Sequence, residues 1–193
     1  MKIIWIIGIV IILLIGVLTG VLAYYGLFSS VQVTEKNVGP YLLVYTKHIG
    51  DYNNVAPVMD KVYYDLKDHY DIETTKGFGL YYDNPQEVAK ENLRSIVGCI
   101  VEDKTMTDLR EVRNKYGVKE YPLSKSVVAE FSHKGYLSIV IGVMKVYPKL
   151  NEYIQGHKYD QNPIMELYDL PNERIEYITS VDLSKEVFES LLE

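Results

Sequence analysis

The sequence has few of the residues that form covalent cross-links or glycosylation sites. It contains one cysteine, Cys99, so no disulfide can form within the chain, and it has no Asn-x-Ser/Thr acceptor. Both absences favour a cytosolic environment over an oxidising lumen. Because Cys99 lies in an apolar stretch that is typical of a strand, we expect it to be an unreactive core thiol.

Sequence motifs for catalysis and for cofactor binding are also missing. The four histidines are scattered, and the chain has no nucleophile motif, no phosphate-binding loop and no His/Cys cluster with metal-ligand spacing. We therefore predict a protein that is not an enzyme and that has neither a metal site nor a cofactor. The net charge is −6 and no basic run is present, so we expect no direct contact with nucleic acid.

One long hydrophobic run stands at the N-terminus. The stretch Ile3–Phe28 carries no charged side chain, and about 20 apolar residues suffice for a helix to cross a bilayer. Trp5 lies near one end and Tyr24 and Tyr25 near the other, as interfacial anchors do. A cleaved signal peptide is the alternative, although its apolar core is usually only ~7–15 residues long. We predict a single-pass transmembrane anchor over residues 1–30, with an orientation that the few flanking lysines leave open.

The rest of the chain contains an internal repeat. The stretches LYYDNP (80–85) and ELYDLP (166–171) share tyrosine, aspartate and proline at matching positions. Further matches precede them at nearly the same separation of about 85 residues: His48-x-Gly50 with His133-x-Gly135, and Met59 with Met144. Such self-similarity is the signature of a duplicated structural unit.

Each unit is predicted to fold as strand, helix, strand and strand. In the first unit, the hydrophobic pattern predicts strands over 41–49, 77–82 and 95–101, and a helix that starts at Asn53 or Asn54. In the second, it predicts strands over 127–133, 164–168 and 175–181, and a helix with Ser138 near its start. Between the units, Thr107 is expected to cap a short helix that ends at Gly117.

The helix of the second unit is ambiguous. Its β-branched residues and Pro148 favour a strand locally, whereas its register with Met59 favours a helix, which we adopt. We therefore expect an α+β domain over 31–183, with repeats at about 41–101 and 125–182. Its antiparallel sheet should carry both helices on one face and a cleft along the pseudo-twofold axis.

The duplication and the Glu-x-Tyr-x-x-Pro sequence that begins at Glu166 resemble the GyrI-like family, the effector-binding module of bacterial multidrug regulators. In that family, a glutamate on a late strand lies at the bottom of the groove between the repeats, and the resemblance implies the same place for Glu166. A carboxylate in a tyrosine-lined groove would attract a cationic small molecule. We expect Tyr82, Tyr168 and Tyr136 as groove walls, and Leu80 as the counterpart of Glu166. The alternative is a structurally paired glutamate.

The stretch GLYYDNP, the Tyr121-Pro122 pair and the segment YPKLNEYI resemble a membrane-anchored animal branch of the same family. This resemblance implies a non-enzymatic adaptor in the endoplasmic reticulum membrane, with its domain in the cytosol and a role as a receptor for selective autophagy. The implied partners are ubiquitin-like autophagy modifiers and the valosin-containing ATPase. The alternative function is a membrane-tethered small-molecule binder that uses the groove around Glu166.

The tail, 184–193, allows two interpretations. Phe188 and Leu191 stand among glutamates with the aromatic-x-x-aliphatic spacing of a motif that binds autophagy modifiers. Such a motif binds as an extended peptide that adds a strand to the edge of the modifier's sheet. The same spacing also suits a short amphipathic helix that starts at Ser184 and packs on the domain.

Overall fold

The computed structural model describes residues 2–193, and it describes side chains from residue 3 onward. The chain forms four α-helices and eight strands within these residues. In chain order they are α1 (Lys2–Tyr24), β1 (Val33–Val38), β2 (Tyr41–Ile49), α2 (Val55–Tyr70), β3 (Lys76–Tyr81), β4 (Arg94–Ile100), β5 (Gly117–Tyr121), β6 (Ser124–Ser132), α3 (Tyr136–Gly156), β7 (Ile164–Asp169), β8 (Arg174–Ser180) and α4 (Lys185–Leu192).

Helix α1 is long and apolar enough to cross a membrane. Within the 22-residue stretch Ile3–Tyr24, the 18-residue window that defines the span has a mean hydropathy of 3.0, and none of this window is buried inside the structure. A core helix of a soluble domain would instead be covered by its neighbours. The helix is therefore compatible with single-pass membrane anchoring.

All eight strands form one antiparallel sheet in the order β1-β6-β8-β7-β3-β4-β2-β5. The predicted duplication is confirmed, because β2-α2-β3-β4 and β6-α3-β7-β8 are the two units, and they meet where β3 pairs with β7. We call this β3–β7 pairing the central seam. The sequence did not predict β1 and β5. Each of these strands precedes one unit but pairs with the first strand of the other unit.

Both long helices cover the same face of the sheet, as predicted. Val62 and Leu66 of α2 pack on Val44 and Cys99. On the same side of the sheet, the apolar stripe of α3 packs on β6 and β8, and its buried members are Ile141, Val146, Leu150 and Ile154. Each stripe follows the helical period, so the remaining positions of the two helices point to solvent.

Several local predictions are wrong in detail. Helix α2 is preceded by a 3₁₀ turn whose cap is Asp51, which accepts a hydrogen bond from the backbone N–H of Asn53, so neither Asn53 nor Asn54 caps it with a side chain. Ser138 lies in the first turn of α3 and reaches back, accepting from the N–H of Lys134 at 2.7 Å. The predicted helix from Thr107 to Gly117 is a run of turns with one 3₁₀ segment, and Gly117 begins β5.

Helix α3 continues through Pro148. A proline lacks the N–H that would bond the carbonyl four residues earlier, which here belongs to Met144. Both residues are exposed, so that carbonyl lies on the solvent side of the helix, where water can satisfy it. The register with α2 therefore predicted the correct element.

The opposite face of the sheet is covered by α4. Phe188 and Leu191 are 2% and 1% exposed and belong to the core on this face. The hydroxyl of Tyr45 donates to the carbonyl oxygen of Leu191 at 2.7 Å, and that of Tyr82 donates to Phe188 at 2.9 Å. The tail therefore forms the packed amphipathic helix of the second interpretation. In this conformation neither side chain of the predicted modifier-binding motif is accessible to a partner.

The buried position of Phe188 gives a stability test. Phe188→Ala should lower the free energy of unfolding by about 3 kcal/mol, because it leaves a cavity against the sheet. The matched control is Lys185→Ala, an exposed position on the same helix, which should change it by less than about 0.5 kcal/mol. Chemical denaturation of the full chain in detergent micelles measures both. Equal stabilities of the two variants would mean that α4 is not docked.

Candidate functional site

Glu166 lies at the centre of the sheet. In the central seam it pairs with Gly79 of β3, and its side chain points to the face that carries α2 and α3. It is only 4% exposed. The facing positions of β3 are Gly77 and Gly79, which leave space above the seam. A Cβ on Gly79 would lie 2.7 Å from the Tyr81 hydroxyl, so this side chain occupies the space instead.

Four tyrosines surround the Glu166 carboxylate, and we call Tyr81, Tyr147, Tyr168 and Tyr177 the tyrosine cage. The hydroxyl of Tyr147, from α3, donates to Oε1 at 2.8 Å, and that of Tyr168 donates to Oε2 at 2.6 Å. Tyr177 is the β8 partner of Glu166, and its ring meets the Tyr147 ring edge-on at 5.8 Å. Helix and sheet together therefore hold the carboxylate among aromatic rings.

Burial controls the protonation of this site. It raises the pKa of Glu166 above its ordinary value, while the hydrogen bonds from Tyr168 and Tyr147 act in the opposite direction because they stabilise the carboxylate. Burial, followed by the nearby negative charge, holds the pKa values of Tyr147 and Tyr168 well above their usual range. These hydroxyls are therefore neutral donors at physiological pH.

Glu166 differs from the other buried glutamate of the sheet, Glu176. Glu176 is 6% exposed and lies 2.8 Å from the side-chain nitrogens of both Lys36 and Arg174. Glu166 has no such ion pair within residues 2–193. Buried charges in proteins are normally paired, so a buried carboxylate without a cation is unusual.

The cage also has hydrogen-bonding capacity that it does not use. Each carboxylate oxygen of Glu166 can accept two hydrogen bonds and receives one from a tyrosine. The buried hydroxyl of Tyr177 has no partner among the residues that the structure describes. The site can therefore accept further donors at Glu166, and the free hydroxyl of Tyr177 lies against Gly142 of α3.

The structure brings one of the predicted wall residues, Tyr168, next to Glu166. Tyr82 lies on the opposite face, against α4, and Tyr136 is 76% exposed at the first position of α3. Leu80 also faces α4. The repeated motif misled the prediction because equivalent positions of its two copies face opposite sides of the sheet. Side chains alternate along a strand, so Leu80 points to α4 although Glu166 points to α2 and α3. The counterpart of Glu166 in the seam is Gly79.

Sequence reasoning missed Tyr81, Tyr147 and Tyr177. Tyr81 stands next to the predicted Tyr82, so only the parity of β3 was wrong. Tyr177 could have been found from the register of the β7–β8 hairpin, which places it opposite Glu166. Tyr147 could not be predicted without knowing that α3 lies above the central seam.

A separate cleft of about 360 Å³ lies at the end of α4, on the other side of the sheet from Glu166, and is lined by Tyr45, Thr46, Lys47, Lys115, Gly117, Lys119 and Glu193. Two of its lysines donate to backbone carbonyls of the tail, Lys47 to Glu193 at 2.9 Å and Lys119 to Ser190. These contacts satisfy the free carbonyls at a helix C-terminus. We assign the cleft to the docking of α4.

Comparisons with known proteins agree with this architecture. The sequence profile of the GyrI-like small molecule binding domain matches residues 31–181. The chain belongs to the GyrI-like family. It is 27% identical, over 154 residues, to the testis-expressed protein 264 homolog of Mus musculus and to testis-expressed protein 264 of Homo sapiens. The match covers 75% of this chain and 48% and 47% of those proteins, so the chain spans about half the length of the curated relatives it matches.

Solved structures share the fold of this GyrI-like domain. The crystal structure of the EcmrR C-terminal domain aligns with a TM-score of 0.55 at 16% identity, covering 80% of this chain and 99% of that one. The structure of SAV2435 bound to tetraphenylphosphonium aligns with a TM-score of 0.50 at 14% identity, covering 78% and 94%. At these identities the likeness concerns the fold.

Because the two buried glutamates differ in their ion pairs, we expect their substitution by glutamine to have different effects on stability. Glu176→Gln should destabilise the domain by roughly 2 kcal/mol, because it weakens charged hydrogen bonds to Lys36 and Arg174. Glu166→Gln should leave stability at pH 8 unchanged or increase it, because it removes a buried charge that has no cation.

The pH dependence gives the sign of this effect. A carboxyl group whose pKa is higher in the folded than in the unfolded state stabilises the fold while it is protonated. For Glu166 this stabilisation is complete below about pH 4.5, and it is lost as the pH rises through the raised pKa. The native chain should therefore lose stability relative to Glu166→Gln between pH 4.5 and 8, as measured by chemical denaturation. A Glu166→Gln variant less stable than the native chain at pH 8 would contradict this prediction.

Proposed function

We propose that this GyrI-like protein is a membrane-anchored, non-enzymatic binding protein for a hydrophobic organic cation. The cation would lie between α2 and α3, with its positive charge at Glu166. The observation that carries the proposal is the buried carboxylate without an ion pair inside the tyrosine cage. A ligand that brings its own positive charge supplies the counter-charge that the described residues do not supply.

The cage suits a cation with aromatic or apolar substituents. Tyrosine ring faces attract a positive charge, and this attraction reaches about 2 kcal/mol at sites without water. The raised pKa values keep the hydroxyls of Tyr147 and Tyr168 protonated, so they orient the carboxylate and leave its charge on Glu166. A small, strongly hydrated cation such as Na⁺ would lose more hydration than this apolar site replaces.

Access to Glu166 requires movement of side chains that are already partly exposed. Tyr81, Tyr147 and Tyr168 are half-buried around the buried Glu166 side chain. Met59 of α2 extends over the seam, where a Cβ on Gly77 would lie 2.9 Å from its sulfur. Methionine is flexible and adapts to irregular apolar shapes. Rotation of these side chains would open the site with the sheet unchanged.

A relative of the same fold supports the choice of ligand class. SAV2435 has been solved bound to tetraphenylphosphonium, a permanent cation that carries four phenyl rings. This compound is therefore the probe of choice for the present chain. Its charge does not depend on pH, so any pH dependence of binding belongs to the protein.

The binding test compares two glutamate variants of the full chain in detergent micelles. Glu166→Gln should weaken the binding of tetraphenylphosphonium at least tenfold in isothermal titration calorimetry, because the counter-charge is lost. Glu152→Gln, an exposed position on α3, carries the same change of charge and should bind as the native chain does. Native binding should strengthen as the pH rises through the raised pKa of Glu166. Equal affinities of the two variants would refute the proposed site.

The adaptor function remains a second candidate, and the similarity to the testis-expressed protein 264 relatives supports it. In this proposal α1 holds the domain at the endoplasmic reticulum, facing the cytosol, where autophagy modifiers and the valosin-containing ATPase could reach it. The burial of Phe188 and Leu191 adds a constraint, since a modifier could bind that pair only after α4 leaves the sheet.

Membrane topology tests the adaptor function directly. A C-terminal tag on the full chain in sealed microsomes should be digested by added protease if the domain faces the cytosol. A control with detergent-opened microsomes shows that the tag is cleavable. Protection in sealed microsomes would exclude the adaptor function and would leave the binding proposal intact.

A further inference from the structure

The end of α1 is fastened to the domain beside the start of α3. The Lys134 ammonium donates to the carbonyl oxygen of Tyr24 at 3.1 Å and lies 4.4 Å from the centre of its ring. Lys145 donates to the carbonyl oxygens of Gly26, Leu27 and Ser29. Tyr24 is the last residue of α1, and such a carbonyl lacks an intrahelical partner and carries partial negative charge, so Lys134 stabilises the helix end. Lys145 holds the segment that follows the helix.

Packing adds to these hydrogen bonds. Tyr25 packs against the core beneath α3. A Cβ on Gly26 would lie 2.7 Å from the Phe131 ring, so the backbone touches the end of β6 directly. With both polar and apolar contacts at the junction, the orientation of α1 fixes the orientation of the domain.

This attachment identifies which end of the domain faces the bilayer. Strands β6 and β7 both pair antiparallel with β8, so their C-terminal ends lie at the same end of the sheet. α1 joins the domain at this end, and tyrosines such as Tyr24 prefer the lipid–water interface. Exposed apolar side chains occur here: Phe28 beyond α1, Tyr136 two residues after Lys134, and Leu170 in the turn after β7. We call Phe28, Tyr136 and Leu170 the membrane-facing end.

The tyrosine cage extends toward the same end. Tyr168 follows Glu166 along β7, and its ring lies 6.0 Å from that of His133, edge to face. Lys134 follows His133, and α3 starts two residues later, at Tyr136. The packed side chains of Tyr168 and His133 thus connect the buried carboxylate with the junction to α1, and their rotation would open a path between the two.

We propose that the membrane-facing end rests on the lipid–water interface and that Glu166 takes its cation from the bilayer. The ligand class is an amphiphilic cation with a lipid-soluble body. The ligand part rests on the proposed function, whereas the orientation of the domain does not. Each buried CH₂ adds about 0.8 kcal/mol to membrane partitioning, so such compounds concentrate at the surface that the path reaches.

The charges at this end are compatible with a membrane. Lys134 and Lys145 are cationic, and Glu173 in the β7–β8 turn is acidic. Arg174, which follows Glu173, pairs with Asp169 and Glu130, so no large charge of one sign accumulates. The attraction to lipid would therefore come chiefly from the apolar side chains and from α1 itself. We expect the contact to persist at high salt.

The orientation is tested with a fluorescent label on one introduced cysteine of the full chain in liposomes. Cys99 is buried and burial raises the pKa of its thiol to about 11, so it will not react. Tyr136→Cys labels the membrane-facing end. Leu123→Cys is the control, since it is similarly exposed but precedes β6, at the opposite end of the sheet.

Spin-labelled lipids should quench the label at position 136 at least threefold more than the label at position 123. Replacing both Lys134 and Lys145 by Gln should reduce this difference, because the domain is no longer fastened to α1. Equal quenching at the two positions, or stronger quenching at 123, would overturn the inferred orientation.

The ligand route is tested with triphenylphosphonium cations of increasing alkyl length. For the full chain in liposomes, the rate of probe binding should rise with the lipid-bound fraction of the probe. The double variant Lys134→Gln/Lys145→Gln should bind the probe more slowly in liposomes, with the same affinity as the native chain in micelles. A binding rate that depends only on the concentration of the probe in water would overturn the inferred entry from the bilayer. Loss of probe binding in micelles would instead refute the proposed function.

Discussion

The antiparallel pairing of β3 with β7 is the contact on which the rest of the molecule depends. It joins the two units into one sheet and places Gly79 opposite Glu166. It also sets the gap between α2 and α3, since each helix packs on the strands of its own unit. Without this pairing, Tyr81 of the first unit would be separated from Glu166 and from the three cage tyrosines of the second unit, and the cage would stay open on the β3 side.

The duplication is symmetric in its strands and asymmetric in its chemistry. A glutamate at both seam positions would place two carboxylates side by side in an apolar environment, where repulsion and burial would both oppose ionisation. Glycine at position 79 avoids this repulsion and leaves room for the rings of the cage. One copy of the unit therefore supplies the charge, and the other supplies the space.

Much of this architecture could be predicted from the sequence, because both units carry strong local patterns. The stretch 41–49 is β2 as predicted, and the register of Met59 with Met144 identified α3 despite its β-branched residues. The site was harder, because a shift of one residue moves a side chain to the other face of a strand. The family resemblance predicted Glu166 as a site residue, and the structure places the predicted wall residue Tyr168 next to it, whereas Tyr82 was chosen in place of its neighbour Tyr81.

The exchange of outer strands between the units affects how the chain is made. β1 follows α1 closely, yet its partner is β6, and Val33 pairs with Ala129. During synthesis, β1 must therefore remain unpaired until the second unit has emerged from the ribosome. Contacts of such long sequence separation form slowly. Neither half of the chain has a complete sheet of its own, so the domain closes only when both halves interlock.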